Sequence, residues 1–363
     1  MKQKWILLTV FLFLLTSLVA CGNAVEQEEA TSGEVTPVEE EVTEDVVEEE
    51  IERLKVYTTL YPLQYFAEQI GGEFVEVTNI IPIGADAHTY EPTAKTMIDI
   101  AEGDLFIYNG AGMEAFAETL IESLSSENTQ IVKAVEGIEL QDYDHDHSHG
   151  DHEHAHEEDE HSHDGHEHAH GEDEHSHDDH AHEEDDHDHH HGDEDPHVWL
   201  DPILSIQLAE NIKTALTEQS PENADFFQEN FEAIQSQLEQ LDEEFKQMVE
   251  EVEKDTFIVS HAGYGYWEHR YGIHQIGISG LSPTNEPSQK QIEEIIHIAE
   301  DYDISHIAFE QNISNRVAEV VQSEVGADAV YIHNLEVLTD KDEGEDYFSL
   351  MRKNIEALRT ILQ

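Results

Sequence analysis

The chain has 363 residues, with 84 Asp and Glu against 16 Lys and Arg, a formal net charge of −68 and 27 histidines. So acidic a chain is repelled by the phosphate backbone of nucleic acid and concentrates cations near its surface. Its single cysteine, Cys21, rules out an internal disulfide or a multi-thiolate metal site.

At the start, Lys2 and Lys4 precede an apolar run from Trp5 to Ala20. A basic head on an apolar stretch this short predicts a secretory signal over 1–20. The ending Leu18-Val-Ala-Cys21 resembles a bacterial lipobox, which implies cleavage before Cys21 and a lipid on its sulfur. Residues 22–52 hold 13 acids and no Lys or Arg. They read, with Cys21, as a lipidated, self-repelling tether over 21–52 that holds the folded part off the membrane.

From residue 53, short apolar strands alternate with helical patterns. The predicted strands are 54–60, 75–81, 104–108 and 131–135, with helices at 62–70, 94–101 and 113–123. After residue 255 the pattern returns, with strands at 256–260, 275–278, 306–309 and 329–332 and helices at 289–301 and 315–325. This alternation predicts an α/β fold with parallel sheets covered by helices.

Between the two sets lie a low-complexity insertion and a long helix. Nineteen histidines fall between His145 and His191, mixed with Asp and Glu in a 14-residue repeat. Nothing in 142–193 can offset the entropy of ordering, so the insertion is expected to be disordered and to bind divalent metal weakly and multivalently. His152-Glu-His-Ala-His156 and His166-Glu-His-Ala-His170 match the H-E-x-x-H metalloprotease pattern. They lack the amphipathic helix that pattern needs, so the matches are compositional. Further on, Phe227, Phe231, Ile234, Leu238, Leu241, Phe245, Met248 and Val252 recur at spacings of four and three. That is one apolar stripe on a helix starting near Pro221, about 48 Å long at ~1.5 Å per residue. It is expected to bridge the two α/β halves as a rigid rod that permits only small lobe movements, with a coiled-coil dimer the alternative.

Three histidines outside the insertion sit in Pro- or Gly-rich turns. His88 lies in Pro82-Ile-Gly-Ala-Asp-Ala-His88-Thr-Tyr-Glu-Pro92, His197 in Asp195-Pro-His197-Val-Trp-Leu-Asp-Pro202, and His261 in Ser260-His261-Ala-Gly-Tyr-Gly-Tyr-Trp267. Two of them follow predicted strands, where open α/β sheets place ligands. Their joint placement points to one shared site.

Together with Ser282-Pro-Thr-Asn-Glu-Pro-Ser288, these motifs resemble, in the right order, those of the high-affinity zinc-binding lipoproteins of bacterial ABC importers. That cluster also contains manganese binders. The resemblance implies two Rossmann-like lobes bridged by the helix: 53–220 with its insertion, 221–253 for the bridge, and 254–363. It further implies a cleft holding the metal, with His88, His197 and His261 as ligands. His261 favours zinc, because manganese relatives carry a carboxylate there and manganese prefers oxygen donors. A fourth donor would complete a tetrahedron; Glu336 resembles the family's carboxylate position, with Glu310 and water as alternatives. Asp86, Glu91, Asp195 and Asp201 are candidates for turns or for orienting the ligands. His333 is expected to pack or face solvent, and His269, His274, His297 and His306 read as ordinary histidines.

The implied function is extracytoplasmic capture of Zn2+ by a monomer, lipid-anchored to the outer face of the cell membrane, and its delivery to an ABC permease. The insertion would serve as an auxiliary collector. No G-x-x-x-x-G-K-[ST] sequence occurs, so the ATPase is expected on a separate chain. A manganese or nickel carrier, a zinc hydrolase, and a secondary role as a surface adhesin are the competing readings.

Overall fold

Two four-stranded sheets, each wholly parallel, organise the chain. The computed structural model describes residues 52–143, 194–313 and 316–363. The expected signal, Cys21, nearly all of the tether and all of the insertion except Asp142 and Tyr143 lie outside the described residues. Among those described, no helix is long and apolar enough to cross a membrane.

The first sheet contains β1 (Leu54–Thr58), β2 (Val75–Asn79), β3 (Leu105–Tyr108) and β4 (Gln130–Lys133), in the order β2-β1-β3-β4. The second contains β5 (Thr256–His261), β6 (His274–Ser279), β7 (His306–Glu310) and β8 (Asp328–Ile332), in the order β6-β5-β7-β8. Parallel neighbours need crossovers, and the helices supply them: α1 (Tyr61–Gly71), α2 (Ala94–Ala101) and α3 (Ala117–Leu124) in the first lobe, and α6 (Gly265–Tyr271), α7 (Gln289–Asp301) and α8 (Arg316–Val325) in the second. In each sheet the strand order reverses beside the first strand, which opens a crevice at the strands' carboxyl ends. His261 ends β5 and Glu310 ends β7, on either side of the second sheet's reversal.

All eight predicted strands are present, with bounds shifted by at most two residues. The third helix departs most from expectation, starting at Ala117 instead of 113. Gly110, Ala111 and Gly112 all take positive φ, so the chain after β3 makes a turn before the helix begins. The Glu114 carboxylate closes that turn by accepting from Asn109 N (2.8 Å) and Gly110 N (3.0 Å).

The long helix is α5 (Ala224–Glu251), preceded by a 3₁₀ turn at Pro221–Asn223 where the apolar stripe had suggested continuous helix. Its 28 residues span about 42 Å. The stripe from Phe227 to Met248 is buried, whereas Val252 lies beyond the helix end and is half-buried. Both lobes grip the rod. Asn230 donates to Ile70 O of α1 (3.0 Å), and Phe245 stacks on Tyr271 of α6 (4.9 Å between ring centroids). The last helix, α9 (Tyr347–Ile361), lies against α5 through Arg352–Glu244 and Arg359–Glu251 pairs. It also sends Tyr347 and Phe348 onto Tyr65 and Phe66 of α1. One apolar core therefore runs through both lobes, with a satellite core of Ile258, Ile295, Phe309 and Val321 beneath α7 and α8.

Candidate metal centre

Four chain segments bring their donors to one point. His88 lies in the loop after β2, where Asp86 Oδ1 accepts from His88 N (2.9 Å) and Gly84, at positive φ, donates to Leu338 O (2.9 Å). His197 precedes a 3₁₀ turn, Val198–Leu200, that leads into α4 (Pro202–Gln219). His261 is the last residue of β5, not the first of the following loop. Glu336 sits between β8 and α9.

One donor atom from each of these residues lies within 4.8 Å of all the others. Glu336 Oε1 is 3.3 Å from His88 Nε2, 3.5 Å from His197 Nε2 and 3.8 Å from His261 Nε2, and the last two nitrogens are 3.3 Å apart. A tetrahedron with arms near ~2.0 Å has edges of roughly 3.3 Å, so these four separations are near those of four-coordinate zinc. His197, His261 and Glu336 are buried and His88 nearly so. Nε2 of His88 and Oε1 of Glu336 are buried with no hydrogen-bond partner, an arrangement that is costly unless a cation satisfies both.

The opposite ring nitrogens are held from behind. Asp195 Oδ1 accepts from both the backbone N (2.9 Å) and Nδ1 (2.7 Å) of His197. Glu310 Oε2 is 2.6 Å from His261 Nδ1 and also accepts from Ser260 Oγ, while Oε1 accepts from Tyr264 (3.0 Å). Each contact holds a proton on Nδ1, so that Nε2 is the nitrogen each ring can offer to a metal. Glu310, the competitor for the fourth position, is thus on the far side of the His261 ring and orients it. Asp201 caps α4 and pairs with Arg270, away from the four donors, and Glu91 is exposed. His269, His274 and His297 are exposed and His306 is half-buried; none joins the cluster.

His333 does more than fill space. It is buried, its Nδ1 accepts from Leu335 N (2.8 Å), and its Nε2 meets Asp342 (3.1 Å). Asn354 of α9 bonds both backbone groups of His333, at 2.8 Å each. Trp199 donates to Asn334 O (2.7 Å) and Tyr61 N donates to Glu336 O (2.9 Å). The Glu336 loop, with Leu335 at φ 60°, is therefore tied to α9 and to the first lobe. Sequence reading missed Asn354, and missed Glu114 with Asn109, whose side chain donates to Pro196 O (2.9 Å) beside His197. A carboxylate shortly after a Gly-rich strand end was the available signal for Glu114; Asn354 had none.

Burial works against a charged ring at His197, but the charge and hydrogen bond of Asp195, then Glu336, outweigh it and push its pKa up to about 10. Burial likewise opposes ionisation of Glu336, and the surrounding histidines overcome it, holding the carboxyl well below its usual range. At Glu114 burial wins, raising the pKa despite the donors Thr59 Oγ1 and the backbone N–H groups of Asn109, Gly110 and Glu114.

A family model described as "Zinc-uptake complex component A periplasmic" matches residues 56–361. The high-affinity zinc uptake system protein ZnuA of Bacillus subtilis is 30% identical over 364 residues, covering 100% of this chain and 99% of its own. The zinc-binding lipoprotein AdcA of Streptococcus pneumoniae is 31% identical over 313 residues, covering 85% of this chain and 55% of its own. The chain thus spans about half the length of the AdcA relatives that it matches. The Zn(II)-bound ZnuA-like domain of Streptococcus pneumoniae AdcA, a crystal structure, has a TM-score of 0.65 and 28% identity, covering 85% of this chain and 99% of that one.

Proposed function

Because the chain belongs to the zinc-uptake complex component A family, we propose that it captures Zn2+ outside the cytoplasm and hands it to an ABC permease. The ATPase is a separate subunit, and the carrier works as a monomer held to the outer face of the membrane by lipid on Cys21. Lobes 53–220 and 254–363 enclose the ion, and the bridging segment 221–253, which carries α5, limits their relative motion. The His-rich insertion collects metal weakly beside the tight site.

His88, His197, His261 and Glu336 are the ligands. The observation that carries this reading is the convergence of three imidazole nitrogens and one carboxylate oxygen within 4.8 Å of one another, with Glu336 Oε1 at 3.3–3.8 Å from each nitrogen. Three nitrogens and one oxygen suit zinc better than manganese. Four protein donors also close the shell, whereas a hydrolytic zinc keeps a position open for water. Anomalous scattering at the zinc edge from crystals of zinc-loaded protein tests the assignment. The expected result is a strong peak about 2 Å from all four donor atoms; a tight-site peak away from any of them overturns it.

A further inference from the structure

The motif His261-Ala-Gly263-Tyr-Gly265 contains two glycines that need space, not unusual backbone angles. A Cβ built on Gly263 would lie 2.7 Å from both Cε1 and Nε2 of His261 and 3.4 Å from Cδ2 of His197. One built on Gly265 would lie 2.6 Å from Asp195 Oδ2, on the carboxylate that orients His197. The chain folds back over its own histidine, with Gly263 N donating to His261 O (3.0 Å), so the bare Cα of Gly263 forms one wall of the donor cluster.

The His261 ring has little room to retreat from that wall. Its Nδ1 is tied to Glu310, which Ser260 and Tyr264 hold in turn, and the Tyr264 ring lies 6.3 Å away between centroids. A methyl group at Gly263 must therefore move the ring or the strand end that carries it. Either movement alters the 3.3 Å spacing between His261 and His197 on which a four-coordinate ion depends.

We propose that Gly263 is a specificity-determining residue. Its missing side chain fixes the donor spacing at the size of a tetrahedral ion, and any side chain there shifts preference from zinc toward ions that accept more donors. This rests on the four-ligand zinc site above.

The test uses cobalt(II) as a spectroscopic stand-in for zinc, one equivalent added to the full chain and to Gly263→Ala. Residues 144–193 contain no tryptophan, whereas the Trp199 ring lies 5.3 Å from that of His197. Cobalt quenching of tryptophan emission, less the quenching that remains in His197→Ala, therefore reports filling of this site. The expected result is intense visible bands of four-coordinate cobalt in the unaltered chain and weak bands in Gly263→Ala. Zinc affinity by chelator competition should fall about 10- to 100-fold, the scale seen when a metal's outer support is disturbed, and manganese affinity should fall less. Weak bands in the unaltered chain would defeat the four-ligand reading itself. Intense bands there, with unchanged bands and affinity in Gly263→Ala, would overturn the role of Gly263 alone. Should Gly263→Ala fail to fold, His261→Ala/Gly263→Ala removes the obstructed ring. The double variant should bind metal no more weakly than His261→Ala, and a further loss would overturn the proposal.

Discussion

Asp195 grips His197 twice, accepting with one carboxylate oxygen from the backbone N–H at 2.9 Å and from ring Nδ1 at 2.7 Å. The first bond shapes the turn and the second sets the ring's tautomer, so one side chain decides where His197 is and which nitrogen it offers. Asp195→Asn keeps the shape and loses the charge. Zinc affinity, measured by competition with a chromophoric chelator, is expected to fall about 10- to 100-fold. An unchanged affinity would mean that the turn alone orients the ring.

His261 carries the argument for metal identity, and Glu310 limits how it can be tested. His261→Glu would set two carboxylates face to face in a buried site, an arrangement that raises one pKa strongly. Paired with Glu310→Gln, the exchange supplies an oxygen donor without that conflict. Zinc should then lose affinity relative to manganese. An equal loss for both ions in a competition titration would detach metal preference from this position.

How much of this was legible in the sequence depends on the distance over which each determinant acts. The strands follow from short apolar runs and α5 from a period-3.6 stripe, both set by neighbouring residues, and the eight strands appear within two residues of expectation. His88, His197 and His261 were visible because they sit in Pro- or Gly-rich turns, two of them beside strand ends. Glu336 was visible only through resemblance, since nothing local separates it from Glu310. What separates them is the second sheet's topology, which places Glu310 behind the His261 ring and carries Glu336 across to Tyr61 N. Asn354 was invisible for the same reason: it lies 21 residues from the backbone groups it bonds.

That bond pair makes Asn354 a stability prediction. Its amide satisfies both N–H and C=O of His333, in a buried loop three residues before Glu336. Asn354→Leu has similar volume but leaves both groups unpaired. The expected loss is roughly 1–3 kcal/mol per orphaned group at most, read from urea unfolding of the chain without metal. Zinc affinity should fall as well, because the Glu336 loop loses its tie to α9. A denaturation midpoint equal to that of the unaltered chain would show that the loop is held by Trp199 and Tyr61 alone.

Proton release on zinc binding is the final prediction, and its sign follows from His197. Burial disfavours the charged ring, but Asp195 and then Glu336 prevail, so the folded pKa is about 10 against 6.5 for the free side chain. A raised folded value stabilises the metal-free fold fully below pH 6.5, and that contribution disappears as pH rises through about 10. Between these limits His197 holds a proton that the metal must displace, since only the neutral imidazole ligates. Zinc binding at about pH 8 should therefore release close to one proton, and affinity should rise with pH across this window. Titration calorimetry in buffers of different ionisation enthalpy measures the release directly. Observed heats independent of the buffer would mean that His197 is already neutral before the ion arrives.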